Sequence, residues 1–267
     1  MSERQAHIRR ARHWIANRGW RGFFDELLWR TRLTLKGQAI PGRPGPEVGP
    51  HPFDLAYNVD TTGLVWGESL LTTAGSHDPA KYWATGYYGV APSSFQDALK
   101  RLALDWSQYT FIDIGCGKGR ALLLALRHPF QAAIGVELSP ELAAVAEANL
   151  HSFNAPWRIS SVPTRVLTGD ATNFEFPQGP LVLYLYHPFA APVMRRFLDH
   201  LGRSLRENPR TVYVLYTNPE LMKILDTTPF LTKLWDAHFA MSKEDVAADR
   251  FSSTFERMTA YRTESVR

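Results

Sequence analysis

With 267 residues, 45% of them hydrophobic, the chain has apolar material for one large α/β domain and an extension. A single cysteine excludes an internal disulfide framework and favours a reducing, cytoplasmic setting. No run of 18 apolar residues marks a membrane span, no secretory apolar core opens the chain, and nine histidines without paired spacing predict no metal. The net charge of +4 is unevenly placed. Residues 1–36 hold nine Lys or Arg against three Asp or Glu (+6), which leaves 21 against 23 (−2) for the rest. A nucleic-acid partner is therefore not expected of the body of the chain.

In chain order, Ile8, Trp14, Ile15, Phe23, Phe24, Leu27 and Leu28 recur at roughly helical spacing among those basic residues. They predict a basic amphipathic arm over 1–36. Such an arm suits packing back on the domain as a lid, an anionic membrane surface or an acidic partner. Residues 37–52 are rich in proline and glycine and read as a linker or strap. Residues 53–90 are aromatic, which suits a lid with Asp54, Asp60, Tyr87 and Tyr88 as candidates for closing over a ligand, or a satellite core filled by the rings. Residues 91–267 form the main domain. Ser93 and Ser94, after Pro92, start a helix through Ala98, Leu99, Leu102 and Leu104.

Tyr109 to Ile114 are β-branched or aromatic apart from Asp113 and predict a buried strand, whereas Ala121 to Leu126 are strong helix formers. Between them, Gly115-Cys116-Gly117-Lys118-Gly119 makes a strand-to-helix turn that a ligand can approach without meeting a Cβ. The spacing departs from the Gly-x-Gly-x-x-Gly of dinucleotide folds, and Asp113, two residues before the first glycine, suits a cation better than a pyrophosphate. Cys116 reads as a small filler with no activated thiol.

A second strand, Ala132 to Val136, ends at Glu137, whose carboxylate can accept from two vicinal ribose hydroxyls. Leu138 follows, and Ser139 and Pro140 start the next helix. A third element runs Val166 to Ala171 through Gly169-Asp170. A fourth strand, Leu181 to Tyr186, enters His187-Pro188-Phe189. Beyond it the pattern predicts a helix over 191–205, a strand over 211–216, a short helix over 220–226 and two closing strands, 230–239 and 253–261. Alternation of strands and helices predicts a parallel sheet ending in an antiparallel pair.

These four elements in order resemble the class I S-adenosylmethionine-dependent methyltransferases, with Asp113 to Gly119 as their motif I. The resemblance covers about residues 90–262 and extends, more distantly, to the seven-strand protein lysine methyltransferases. It implies an α/β fold with a doubly wound, mostly parallel seven-stranded sheet whose last strand is antiparallel, preceded by a helical or irregular N-terminal extension. It also implies S-adenosylmethionine as cofactor. Asp113, Gly115, Cys116, Gly117 and Gly119, with Tyr88, would surround its methionine end; Glu137 and Leu138 its ribose; Asp170 and Ala171 its adenine. Tyr186, His187 and Phe189 would form the methyl-transfer site. In amine-methylating relatives the fourth strand ends in Asn/Asp-Pro-Pro-Tyr/Phe. Here Pro188 and Phe189 fit, whereas Tyr186 and His187 depart. His187, near-neutral in its ordinary pKa, is the expected proton acceptor. The expected acceptor is an amine, a protein lysine first and a small molecule second. A non-catalytic module that binds S-adenosylmethionine or a partner is the remaining alternative.

Overall fold

The computed structural model describes residues 49–66 and 86–263; the basic arm, most of the Pro/Gly linker, and Tyr82 and Trp83 of the aromatic segment lie outside the described residues. Helix α1 (Pro52–Tyr57) and a short antiparallel pair, β1 (Leu64–Trp66) and β2 (Gly86–Tyr88), lead into α2 (Pro92–Leu102). The main domain then alternates β3 (Thr110–Ile114), α3 (Arg120–Ala125), β4 (Ala132–Glu137), α4 (Pro140–Ser152), β5 (Thr164–Thr168), β6 (Leu181–Tyr186), α5 (Ala191–Glu207) and β7 (Val212–Thr217). It closes with α6 (Met222–Asp226), β8 (Leu231–Ala240), α7 (Lys243–Ala248) and β9 (Phe255–Thr263).

The seven-stranded sheet has the order β5-β4-β3-β6-β7-β9-β8; β3 to β7 run parallel and β9 lies antiparallel between β7 and β8. Both faces are covered, as parallel strands require. The two-residue side-chain period sorts the strands into two cores. Phe111, Tyr184, Leu215 and Met258 pack with Phe95 and Leu99 of α2 and Leu122 of α3. Ile112, Ile114, Leu183 and Tyr216 pack with Met194, Phe197 and Leu201 of α5.

From β3 the chain first moves outward through β4 and β5, then returns to place β6 on the other side of β3. That reversal opens a crevice beyond the carboxyl ends of the strands, where ligands bind in such sheets.

Two local features differ from the sequence expectation. Helix α2 ends at Leu102 because Ala103 takes a left-handed C-cap (φ 52°), so Leu104 lies outside it. The closing strands are joined through α7, capped by Ser242 with Glu244 and Asp245 in its first turn. Among the described residues no helix is long and apolar enough to cross a membrane.

Candidate active site

The loop after β3 is held by the carboxyl end of β4. The amides of Gly115 and Cys116 donate to the Val136 carbonyl at 2.8 and 3.1 Å. The Gly117 amide donates to one Glu137 carboxylate oxygen at 2.7 Å and the Ser139 amide to the other at 2.8 Å. Gly117 has φ +54°, and a Cβ there would lie 1.9 Å from the Tyr87 ring. Tyr87 is thus seated on the glycine loop, its hydroxyl donating to the Thr61 carbonyl at 2.5 Å. Gly117→Ala combines the left-handed backbone cost with a ring that has nowhere to go. It is expected to lower stability by about 2–3 kcal/mol, read as an earlier thermal or urea midpoint.

The crevice is a cleft of about 870 Å³. Asp113, Glu137 and Asp170 contribute carboxylates from the ends of β3 and β4 and from the turn after β5. Gly115, Cys116 and Gly117 form its floor, Leu138 and Ala171 flank the second and third acids, and Tyr88, Tyr186 and Phe189 close the remaining wall. Gly119 is not in this lining. It starts α3 at φ +85°, and its missing side chain lets that turn approach α4, where a Cβ would meet Ala146 at 3.2 Å.

Burial pushes the Asp113 carboxyl well above its usual range, the charge of Glu137 adds to the rise, and the Leu122 amide opposes it. Burial also raises Glu137, against the amides of Ser139, Gly117 and Leu138. Two desolvated carboxyls side by side are electrostatically suited to a cation-bearing ligand. The Cys116 thiol is pushed up by burial and by the same two acids. It packs where Gly135 leaves room, a Cβ there meeting its Sγ at 2.7 Å.

The segment before β1 is bound to the same loop. Asp54, 3% exposed, accepts from the Thr61 amide (2.7 Å), the Thr62 amide (2.6 Å), the Thr62 hydroxyl (2.7 Å) and the Thr61 hydroxyl. Arg120, also buried, lies 3.6 Å from Asp54 and donates to the Thr61 hydroxyl at 2.6 Å. Gly89 gives its guanidinium room, since a Cβ there would meet it at 2.7 Å. Asp60 pairs with Lys118 at 2.8 Å, and Asn149 ties the Asp60 backbone to the Lys118 carbonyl. Phe53 and Tyr57 pack their rings against Phe153 and, for Tyr57, Trp157, filling a satellite core. Of the four residues expected to close over a ligand, Tyr87 and Tyr88 line the cleft, whereas Asp54 and Asp60 anchor the segment that carries it.

His187 is placed differently from the expectation. Its side chain does not line the cleft. The ring stacks on Tyr216, with Nδ1 2.7 Å from the Tyr216 hydroxyl and Nε2 3.8 Å from Glu220. Tyr184 and Tyr186 of β6 face the cleft, the strand ends at Tyr186, and His187 follows it with a left-handed backbone (φ 43°) that turns its ring away toward Tyr216. Behind Tyr186 stands Glu256 of β9, a residue the sequence does not flag. It is held by the Ala91 amide at 3.2 Å and the Ser94 hydroxyl. Among the described residues no group of three metal-ligating side chains occurs.

Residues 111–208 match the family model described as a methyltransferase domain. No curated protein matches the chain in sequence. Among solved structures, TrmN from Thermus thermophilus aligns at 16% identity over 66% of this chain with a TM-score of 0.47, and this chain covers 49% of that one, about half its length. The YcgJ protein from Bacillus subtilis aligns at 11% identity over 64% of this chain and 98% of its own, with a TM-score of 0.44. Magnesium protoporphyrin IX methyltransferase (ChlM) from Synechocystis PCC 6803, solved with bound SAM, aligns at 12% identity over 65% of this chain and 79% of its own, with a TM-score of 0.41. The matched segment is a methyltransferase domain, and with the strand order and the carboxylate-rimmed cleft over a glycine floor it resembles the class I S-adenosylmethionine-dependent methyltransferases.

Proposed function

We propose that the chain transfers a methyl group from S-adenosylmethionine to an amine, a lysine side chain of a protein being the first acceptor to test and a small-molecule amine the second. The observation that carries cofactor binding is the succession of three carboxylates, Asp113, Glu137 and Asp170, along one cleft of about 870 Å³. One Glu137 oxygen accepts from the Gly117 amide and the other from the Ser139 amide, and the carboxylate keeps acceptor capacity for the ribose hydroxyls. Asp170 caps the turn after β5 through the Thr172 amide at 2.8 Å and keeps acceptor capacity for an exocyclic amine. Asp113 offers charge to an ammonium or sulfonium. When bound, the cofactor supplies an electrophilic methyl group. The chain's own residues align the acceptor, exclude water and remove one proton.

An amine acceptor fits the acidic groups beside the transfer end: Glu256 behind Tyr186, and Asp245 and Asp249 around the adjoining cleft. A lysine ammonium must first lose its proton, which from a reference pKa of about 10.4 costs roughly 4–5 kcal/mol at pH 7. The lone buried cysteine accords with a reducing, cytoplasmic location. The basic arm over 1–36 suits an acidic partner or an anionic surface.

Calorimetric titration with S-adenosylhomocysteine tests the cofactor reading. Binding is expected, with proton release seen as a heat that depends on the buffer. Asp113 binds its proton too tightly in the empty cleft, and an ammonium beside it favours the charged form. Affinity therefore rises with pH, and Asp113→Asn abolishes the buffer dependence. Absence of binding would remove the reading altogether.

A further inference from the structure

The methionine tail of S-adenosylmethionine ends in an ammonium and a carboxylate, and the acids of the cleft answer only the first of these. Among the described residues that line the cleft, Arg120 is the one cation. It is the first residue of α3, directly after the glycine loop, and its side chain is 5% exposed. It also reaches the wall of a second cleft, of about 570 Å³, which lies beside the first and takes in Thr62. Lys118, the other cation of the loop, is turned away from the cofactor cleft, its ammonium held by Asp60 at 2.8 Å and the Thr62 carbonyl at 2.7 Å.

The contacts of Arg120 fix one side of its guanidinium more firmly than the other. Nε donates to the Thr61 hydroxyl at 2.6 Å. The two terminal nitrogens meet their partners at longer range, Nη1 the Val90 carbonyl at 3.4 Å and Nη2 the Thr62 hydroxyl at 3.3 Å and Asp54 at 3.6 Å. That fork keeps donor capacity, and a carboxylate can accept two parallel N–H bonds from it. We propose that Arg120 binds the carboxylate of the cofactor's amino-acid tail and thereby couples cofactor binding to the closure of the segment from Asp54 to Thr62 over the glycine loop. The inference rests on the cofactor reading above.

The coupling follows from shared hydroxyls. Those of Thr61 and Thr62 donate to Asp54 and accept from Arg120, and the two threonine amides also donate to Asp54. The guanidinium is therefore held in place by this segment. A ligand that binds better when Arg120 is so held must, by linkage, favour the closed segment to the same degree. Closure has two consequences on the page: the Thr61 carbonyl keeps the Tyr87 ring on Gly117, and Thr62 completes the wall of the second cleft.

The test titrates the full chain with S-adenosylhomocysteine and with its decarboxylated counterpart, S-adenosyl-3-thiopropylamine, which keeps the ammonium. Loss of the carboxylate is expected to weaken calorimetric binding to the wild-type chain by about 10²-fold. Arg120→Lys keeps a charge opposite Asp54 and removes the fork. It should cost S-adenosylhomocysteine about tenfold and leave the decarboxylated ligand within about threefold. Amide hydrogen exchange reads the coupling in the unaltered chain. With S-adenosylhomocysteine at saturation, the Thr61 and Thr62 amides should exchange about tenfold more slowly than with the decarboxylated ligand at saturation. Wild-type affinities within threefold of each other overturn carboxylate recognition. An equal loss of both ligands in a folded Arg120→Lys chain overturns the role of Arg120, and equal exchange in the two complexes overturns the coupling. The two wild-type measurements decide even where Arg120→Lys does not fold. A wild-type chain that does not bind S-adenosylhomocysteine would instead overturn the cofactor reading on which the inference rests.

Discussion

Glu137→Ala is expected to weaken S-adenosylhomocysteine binding by a factor of at least about 10². Two charge-assisted hydrogen bonds to ribose hydroxyls are each worth about 1.5–3 kcal/mol, and every 1.4 kcal/mol is tenfold in affinity. The loss exceeds the direct contacts because the same carboxylate anchors the Gly117 and Ser139 amides. Without it the glycine loop and the start of α4 lose their common acceptor, and the floor of the cleft loses its fixed shape. Glu137→Gln separates the two roles. The amide oxygen still serves one backbone donor, but its NH₂ then faces the other, so binding should fall by a smaller factor of about tenfold or more. Calorimetry on both variants measures this, and an affinity within threefold of wild type for the alanine variant would remove Glu137 from the ribose site.

The cofactor side of the cleft was legible because its chemistry is local in the chain. A strand of β-branched and aromatic residues, three glycines and a run of helix formers force a strand–turn–helix whatever surrounds it, and the placements of Asp113, Glu137 and Asp170 follow from strand ends. Gly119 shows the limit of that argument, since three glycines in one loop read alike while one of them serves the contact with Ala146. His187 was misplaced for a reason the sequence contains only in part. The two-residue period assigns Tyr184 and Tyr186 to one face, and His187, the first residue past the strand, leaves that face in a left-handed turn at φ 43°.

Glu256 was illegible for the opposite reason. It becomes a partner of Ser94 and the Ala91 amide only after β9 has inserted between β7 and β8 and α2 has packed across that face, contacts that no local pattern encodes. The strap is a similar case. Its acid, its two threonines and its arginine are ordinary residues until Asp54 and Arg120 are buried side by side.

That burial makes Asp54→Ala the variant with the largest expected loss of stability, about 3–5 kcal/mol, because it leaves the buried Arg120 guanidinium without its counter-charge. Four donors from Thr61 and Thr62 lose their acceptor at the same time. At roughly 2–4 °C per kcal/mol for a domain of this size, the melting temperature should drop by about 6–20 °C. The effect should reach the cofactor as well. Thr61 carries the carbonyl that holds the Tyr87 hydroxyl, and Tyr87 is the ring laid on Gly117. Loosening the strap therefore uncovers the glycine loop, and S-adenosylhomocysteine affinity should fall together with stability.

Arg120→Met in the Asp54→Ala background removes the stranded charge and keeps apolar volume, so the double variant should be more stable than Asp54→Ala alone. Thermal melts of the two single variants and the double variant, run with and without S-adenosylhomocysteine, measure both effects. Additive losses would show that Asp54 and Arg120 act independently. Unchanged ligand stabilisation in Asp54→Ala would show that the strap braces the fold without shaping the cleft.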